Sequence, residues 1–432
     1  MTRSPVTARL RSVLVTRLRS LAIPLTRTTL RVTLSVLSRV WPQTRSVVVS
    51  AFPETEGNGL ETARALVAAY DGTVVWLLDG HRPAAEVLEL SRQGMVLVEK
   101  SSLAGVLAYL RAEAVLFTHG LYGSPRPAAR KPLVNLWHGD GPKETRPGNE
   151  AGSLIPSTYL VGSTQVFTEL KGRAFEVPRD RLLITGNPRT DQLWHGVPDE
   201  ALERLGLTGD FVVYMPTFRR TRALGAVLEW SEVEPTAAVV PTEPATGERT
   251  LEPLAAGVQE QRDLAPLLAG LAERGLTLVI KPHPMDADRR GWPGAVTLTE
   301  RDLVAAGVSL YALMGRSRGL VTDYSSVWVD YLLLDRPLAF LVPDVDTYSR
   351  RLKPADILDW LPGERVDLDD APFERFLGEL DGHPATGDDG SAARAEVGRR
   401  LGLNDTRTSA PDLVEALSDL GVVRVRGSRT AG

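Results

Sequence analysis

Residues 319–330 read GLVTDYSSVWVD: Gly319-Leu320-Val321-Thr322, then Asp323-Tyr324-Ser325-Ser326, then Val327-Trp328-Val329-Asp330. A short apolar run is closed by an acid and two hydroxyls, and a second apolar stretch follows at helical spacing. That is a buried strand entering a helix through a tight polar loop. Two Ser hydroxyls beside the backbone N–H groups of a helix start make an anion site. Plain N-capping by serine is the bland alternative. Asp330 lies four to five residues into that helix and faces back towards the same mouth.

The same unit recurs along the chain. Phe211–Tyr214 (FVVY), Leu276–Ile280 (LTLVI) and Leu338–Val342 (LAFLV) are runs of the same kind. Nearer the N-terminus come Ser46–Ala51 (SVVVSA), Thr73–Leu78 (TVVWLL), Met95–Val98, Ala114–Thr118, Pro132–Trp137, Thr158–Gly162 and Leu182–Thr185. Helical spacing appears at Glu61–Tyr70, after a Gly57–Gly59 loop, and at Leu103–Leu110. Short strands alternating with helices predict parallel sheets covered on both faces.

The 432 residues exceed the usual size of one domain. Asp199–Leu205 reads as a linking helix, which divides the chain into a leader (1–45) and two halves, 46–198 and 199–432. Residues 222–262 are rich in Pro, Ala, Thr and Glu and read as a flexible insertion. A last amphipathic helix is expected near Ala410–Leu420. The fold class expected is α/β, two doubly wound Rossmann-like domains with a cleft between them. In such sheets ligands bind beyond the carboxyl ends of the strands.

Composition narrows the function. Hydrophobic residues make up 43% and charged residues 24%, as in a soluble globular protein. The net charge of -4 gives no overall field for nucleic acid. The absence of cysteine excludes a disulfide scaffold, a thiolate zinc site and a cysteine nucleophile. No run of 18 or more apolar residues is present, so no transmembrane helix is expected. The first 45 residues carry nine Arg, interleaved with Leu and Val, and the first acid is Glu54. That mixture predicts a segment lying on an anionic membrane surface, each Arg adding about 1 kcal/mol. A solvated basic extension is the alternative.

Four more clusters follow strands directly. Trp137-His138-Gly139-Asp140-Gly141-Pro142-Lys143 sets a His between glycines that let backbone approach a ligand. His138 is the strongest candidate for proton transfer near neutral pH; a His capping a loop is the alternative. Gly186-Asn187-Pro188-Arg189-Thr190-Asp191 offers a guanidinium fork suited to phosphate, although Asn-Pro-Arg is also an ordinary turn. Pro216-Thr217-Phe218-Arg219 pairs a hydroxyl with another guanidinium, or is a surface loop. Lys281-Pro282-His283-Pro284 pins a Lys and a His at a strand end.

In this order the clusters resemble the CDP-glycerol glycerophosphotransferase family, which makes teichoic acids and related capsular polymers. The family carries Trp-His-Gly, Gly-x-Pro-Arg, Pro-Thr-x-Arg, Arg/Lys-Pro-His-Pro and Asp-Tyr-Ser-Ser followed by Asp. The resemblance covers roughly residues 46–370 and extends through Leu332–Tyr348 and Leu361-Pro362-Gly363-Glu364. It departs at Asp140-Gly141-Pro142, where the family has Thr and then a Pro-Leu-Lys run, and at Thr190, where the family has Asn.

The resemblance implies a GT-B-like fold, residues 46–198 taking the acceptor and 199–432 the CDP-linked donor. The donor is CDP-glycerol or a related CDP-polyol, and the acceptor is a lipid-linked polymer at the cytoplasmic face of the membrane. An acceptor hydroxyl attacks the β-phosphorus and CMP leaves, with His138 and His283 as the catalytic pair and His138 as base. Lys281, His283, Arg189, Arg219 and Ser325–Ser326 would offset the pyrophosphate charge. Thr217, Asp330 and the Pro216 backbone would hold nucleotide or glycerol. Gly139, Asp140, Gly141, Pro282 and Asp323 complete the expected donor site. No metal-ligand spacing demands a cation, and Mg²⁺ remains compatible. A nucleotide-sugar glycosyltransferase or epimerase of the same fold is the rival enzyme, and a non-catalytic scaffold of a polymer-assembly complex the rival of another class.

Overall fold

A computed structural model describes residues 28–80, 83–145, 155–217, 264–282, 292–342, 352–366, 373–382 and 390–427. Its strands form two sheets in which every pairing is parallel. The first contains β1 (Ser46–Ser50), β2 (Thr73–Leu78), β3 (Val96–Glu99), β4 (Ala114–Phe117), β5 (Leu133–Asn135), β6 (Tyr159–Val161) and β7 (Leu182–Leu183). Their order is β3-β2-β1-β4-β5-β6-β7. The second contains β8 (Phe211–Met215), β9 (Thr277–Ile280), β10 (Ala295–Thr297), β11 (Gly319–Thr322), β12 (Leu338–Leu341) and β13 (Glu364–Val366), in the order β10-β9-β8-β11-β12-β13. Both orders run outwards from the middle, so the chain reverses between β1 and β4 and again between β8 and β11. These are two doubly wound Rossmann-like domains in the GT-B arrangement.

The central strands are β-branched and buried on both faces, as parallel strands must be. Val47 and Val49 of β1 face one core and Val48 the opposite one. In the second sheet Val213 faces one core, and Val212 and Tyr214 the other. Strands β10 and β13 have no sequence signature. Each is a three-residue edge strand; the side chains of β10 are partly exposed, and of β13 only Val366 is buried.

Three boundaries differ from the sequence reading. Gly57–Gly59 is not a loop but the first turn of α2 (Gly57–Ala69), capped by the Glu56 carboxylate, which accepts from the Gly59 amide at 3.0 Å. The glycines serve close packing: a Cβ on Gly59 would lie 2.5 Å from that of Ala51, and one on Gly57 2.6 Å from that of Arg189.

The leader is not separate up to residue 45. Residues 28–40 form helix α1, which buries Leu34 against Val48, Val75 and Leu77 of the first sheet. Arg3, Arg9, Arg11, Arg17, Arg19 and Arg27 lie outside the described residues.

The C-terminal segment returns to the first half. Of α12 (Gly390–Leu401) and α13 (Ser409–Asp419), α13 inserts Leu413, Val414 and Leu417 into the core around β1, β2 and α2. Residues 199–432 are therefore not one body around the second sheet. The expected insertion at 222–262 lies outside the described residues.

Candidate active site

The carboxyl ends of the two sheets meet. Gly141, in the loop after β5, packs so tightly on Ser326 that a Cβ would fall 2.5 Å from the serine Cβ. Pro142 accepts from the Lys353 amide at 2.7 Å. Thr55 donates to Glu300 of α8 (Glu300–Ala306) at 3.5 Å, and Glu300 lies 3.6 Å from Lys281 Nζ at the end of β9.

His138 sits on the loop after β5, exposed at this junction. Trp137, with φ +52°, holds a backbone conformation that costs energy, and Gly139, with φ +118°, one that glycine adopts freely. The peptide is gripped from both sides. Asn58 of α2 donates to the Trp137 carbonyl at 3.1 Å, and Arg189 Nη1 to the His138 carbonyl at 2.6 Å. Gly139 is required there because a Cβ would meet Arg189 Nη2 at 2.0 Å.

Arg189 belongs to a 3₁₀ turn, Pro188–Trp194, between the halves. Its Nε and Nη2 donate to one carboxylate oxygen of Asp330, in α10 (Val327–Tyr331), at 3.0 and 2.5 Å. Asp330 is fully buried and also accepts from Asn187 at 2.8 Å and from the Tyr311 hydroxyl at 2.6 Å. Burial opposes the Arg189 charge, but Asp330, Tyr311 and Glu56 together outweigh it and hold its pKa above the ordinary value. Glu56, which also interacts with this arginine, is pushed up to about 7 by burial, with Arg189 pulling the other way.

Two acids expected to meet the donor are committed to the protein. Asp140 is buried and accepts from the amides of Ser163 and Thr164 at 2.7 and 2.9 Å, with Lys171 Nζ 3.3 Å away. Asp323 is buried and accepts from the Thr217 amide and hydroxyl at 2.9 and 2.6 Å and from the Ser325 amide at 3.2 Å. It stitches the loop after β8, with Pro216 and Thr217, to the loop after β11, across the topological switch point. Ser325 and Ser326 are half-buried beside it. The helix they begin is only five residues long, so the hydroxyls, rather than a developed helix dipole, are what this loop offers.

Lys281 and Pro282 are buried at the end of β9. His283 and Arg219 lie outside the described residues. Among the described residues no group of three or more His, Asp or Glu side chains is placed to hold a metal ion. Among them too, no helix is long and apolar enough to cross a membrane.

Two functional candidates escaped the sequence reading. His119 stands one residue beyond Thr118 at the end of β4, and its ring stacks on that of His138, with centroids 4.8 Å apart and planes 9° from parallel. Glu56 caps α2 beside Arg189. Glu56 follows β1 and His119 follows β4, the two strands that flank the switch point of the first sheet, whereas His138 follows the next strand, β5.

Residues 43–376 match the family model described as CDP-glycerol:poly(glycerophosphate) glycerophosphotransferase. The chain belongs to this family. Among glycerophosphotransferase-family relatives, it is 26% identical to the teichoic acid glycerol-phosphate transferase of Staphylococcus aureus, over 62% of this chain and 68% of that protein. It is 25% identical to the teichoic acid ribitol-phosphate primase of Bacillus spizizenii, over 50% of this chain but only 53% of that relative. Its fold is similar to the wall teichoic acid polymerase TagF. One TagF variant soaked with CDPG superposes with a TM-score of 0.60 at 17% identity, covering 96% of this chain and 98% of that one.

Proposed function

We propose that this protein transfers a polyol phosphate, glycerol phosphate in the first instance, from a CDP-linked donor to a lipid-linked acceptor of the teichoic acid or capsular type. The observation that carries this reading is His138. It is an exposed imidazole at the junction of two Rossmann-like sheets, on a peptide gripped by Asn58 and Arg189, in a chain of the glycerophosphotransferase family.

The acceptor hydroxyl oxygen attacks the β-phosphorus and its proton passes to His138. The bond from that phosphorus to the bridging oxygen breaks, and CMP leaves with the bonding pair. Such transfers depend on positioning and charge stabilisation. Lys281, Ser325, Ser326 and the backbone of Gly139, Gly141, Pro216 and Thr217 would face the donor; His283 and Arg219, outside the described residues, keep the phosphate-binding role that the family resemblance implies. Arg189, Asp330, Asp140 and Asp323 are assigned instead to holding the loops, because their polar atoms already have protein partners.

A membrane-surface role is part of the proposal. Helix α1 buries Leu34 but exposes Leu30, Val32, Val36 and Val40, and the last three recur every four residues along one face. The Arg-rich stretch precedes that face.

The test is CMP release by the purified full chain with CDP-glycerol or CDP-ribitol and a lipid-linked acceptor. Release that depends on both substrates is expected. No release with either donor would overturn the reading in favour of another activity or a scaffold.

A further inference from the structure

His119 and His138 follow neighbouring parallel strands, β4 and β5, and their rings lie face to face at 4.8 Å. The arrangement around His119 is specific. Phe52 meets its ring edge-on, with centroids 5.7 Å apart at 80°. Thr118 is fully buried, and its hydroxyl oxygen accepts from the Phe52 amide at 3.0 Å. The same oxygen lies 3.1 Å from His119 Nδ1. A buried hydroxyl proton needs an acceptor, and Nδ1 is the one within reach. With Nδ1 accepting, the ring hydrogen is on Nε2. On the other ring, Trp137 lies 4.0 Å from His138, tilted by 33°.

The chemistry proposed for His138 makes its ring cationic once it has taken the hydroxyl proton. A cation is attracted to the face of a π system, whereas a second cation at this distance would repel it. Burial pushes His119 down to about 4, with Lys100 acting in the same direction and Asp79 against it, so this ring stays uncharged near neutral pH. Charged groups nearby among the described residues include Arg189, bonded to the His138 carbonyl, Glu56 near Arg189, and Asp140, which is occupied by Ser163, Thr164 and Lys171.

We propose that His119 is a positioning residue for this transfer: its ring, oriented by Thr118 and stacked on His138, holds that imidazole in place and stabilises it while it carries the proton. The inference rests on His138 being the base. His119 takes no proton and forms no bond in the step.

The experiment uses the full chain and the variants H119L, H119F, T118V and H138A. Two readings are taken: CMP release from CDP-glycerol, and titration of the His138 ring by NMR with labelled histidine. H119L keeps the volume and removes the ring. It should lower kcat about 10–100-fold with donor KM little changed, and move the His138 titration down by about half a pH unit. H119F restores a π face and should recover most of both. T118V, which leaves the ring but not its tether, should fall between and keeps the test available if H119L does not fold.

An H119L chain with wild-type kcat or an unmoved His138 titration overturns the proposal. So does H119F behaving like H119L, which would reduce the contact to packing. Near-normal turnover by H138A instead removes the base itself. An unmoved titration in H119L removes the stacking role alone and leaves the base standing, so the two failures are told apart.

Discussion

Arg189 and Asp330, 141 residues apart in the chain, are bound to each other and not to solvent. Two arms of the guanidinium hold the buried carboxylate, and the third holds the carbonyl of His138. Replacing Asp330 by Ala strands a buried arginine, and we expect a loss of about 3–5 kcal/mol in stability by chemical denaturation. Asp330→Asn, which keeps the shape, should lose less. In both, kcat should suffer more than donor KM, because the His138 loop loses its anchor. An Arg189→Lys protein that unfolds like wild type yet binds CDP-glycerol poorly would put the guanidinium on the substrate.

His138→Ala should lower CMP release by about 10²–10⁴-fold, the contribution typical of a general base. Calorimetry should find donor affinity nearly unchanged, since the base acts on the acceptor. Turnover within a few-fold of wild type would remove the assignment.

Helix α1 separates structure from membrane contact. Leu34→Ala should destabilise the fold by about 2–5 kcal/mol, because Leu34 is 1% exposed in the core under the first sheet. The triple change Val32→Ser, Val36→Ser, Val40→Ser should leave the unfolding midpoint close to wild type and weaken co-sedimentation with anionic vesicles. Equal binding by that variant and wild type would exclude the helix face as the contact.

Glu56 gives a pH signature. Burial raises its pKa from 4.5 to about 7, so between those values the folded chain holds a proton that the unfolded chain has lost. Stability present below about pH 4.5 is then lost as pH rises through 7. Asp191, raised to about 6 by burial, acts in the same direction over a lower window. Thermal unfolding between pH 4.5 and 8 should therefore show wild type losing ground to Glu56→Gln as pH rises. Parallel profiles would mean that Glu56 titrates normally.

The strands β1, β2, β8 and β11 were legible because β-branched runs bounded by polar loops have few other readings. Strands β10 and β13 were not, since three edge residues are too few to carry a pattern. His138 was legible from its place at a strand end between glycines. His119 shares that place, before Gly120, and the same rule applied evenly would have found it. Asp140 and Asp323 enter the expected donor site through the motifs of the family resemblance alone. Their partners, Ser163 and Thr217, lie 23 and 106 residues away, and only the fold brings them together. The same holds for Asp191, which accepts from the Ser409 and Ala410 amides at 2.7 and 2.9 Å and so caps α13.

That last helix has a consequence for how the protein is made. All seven strands of the first sheet have been synthesised once residue 183 is added, yet the core on one of its faces, begun by Leu60, Ala63 and Leu66 of α2, is completed only by Leu413, Val414 and Leu417. While the ribosome builds the second sheet, that core has α2 over it but not α13, and the apolar surface left open must be tolerated by water or shielded by a chaperone. The half that emerges first is completed last, and a stop codon anywhere before α13 would leave it open.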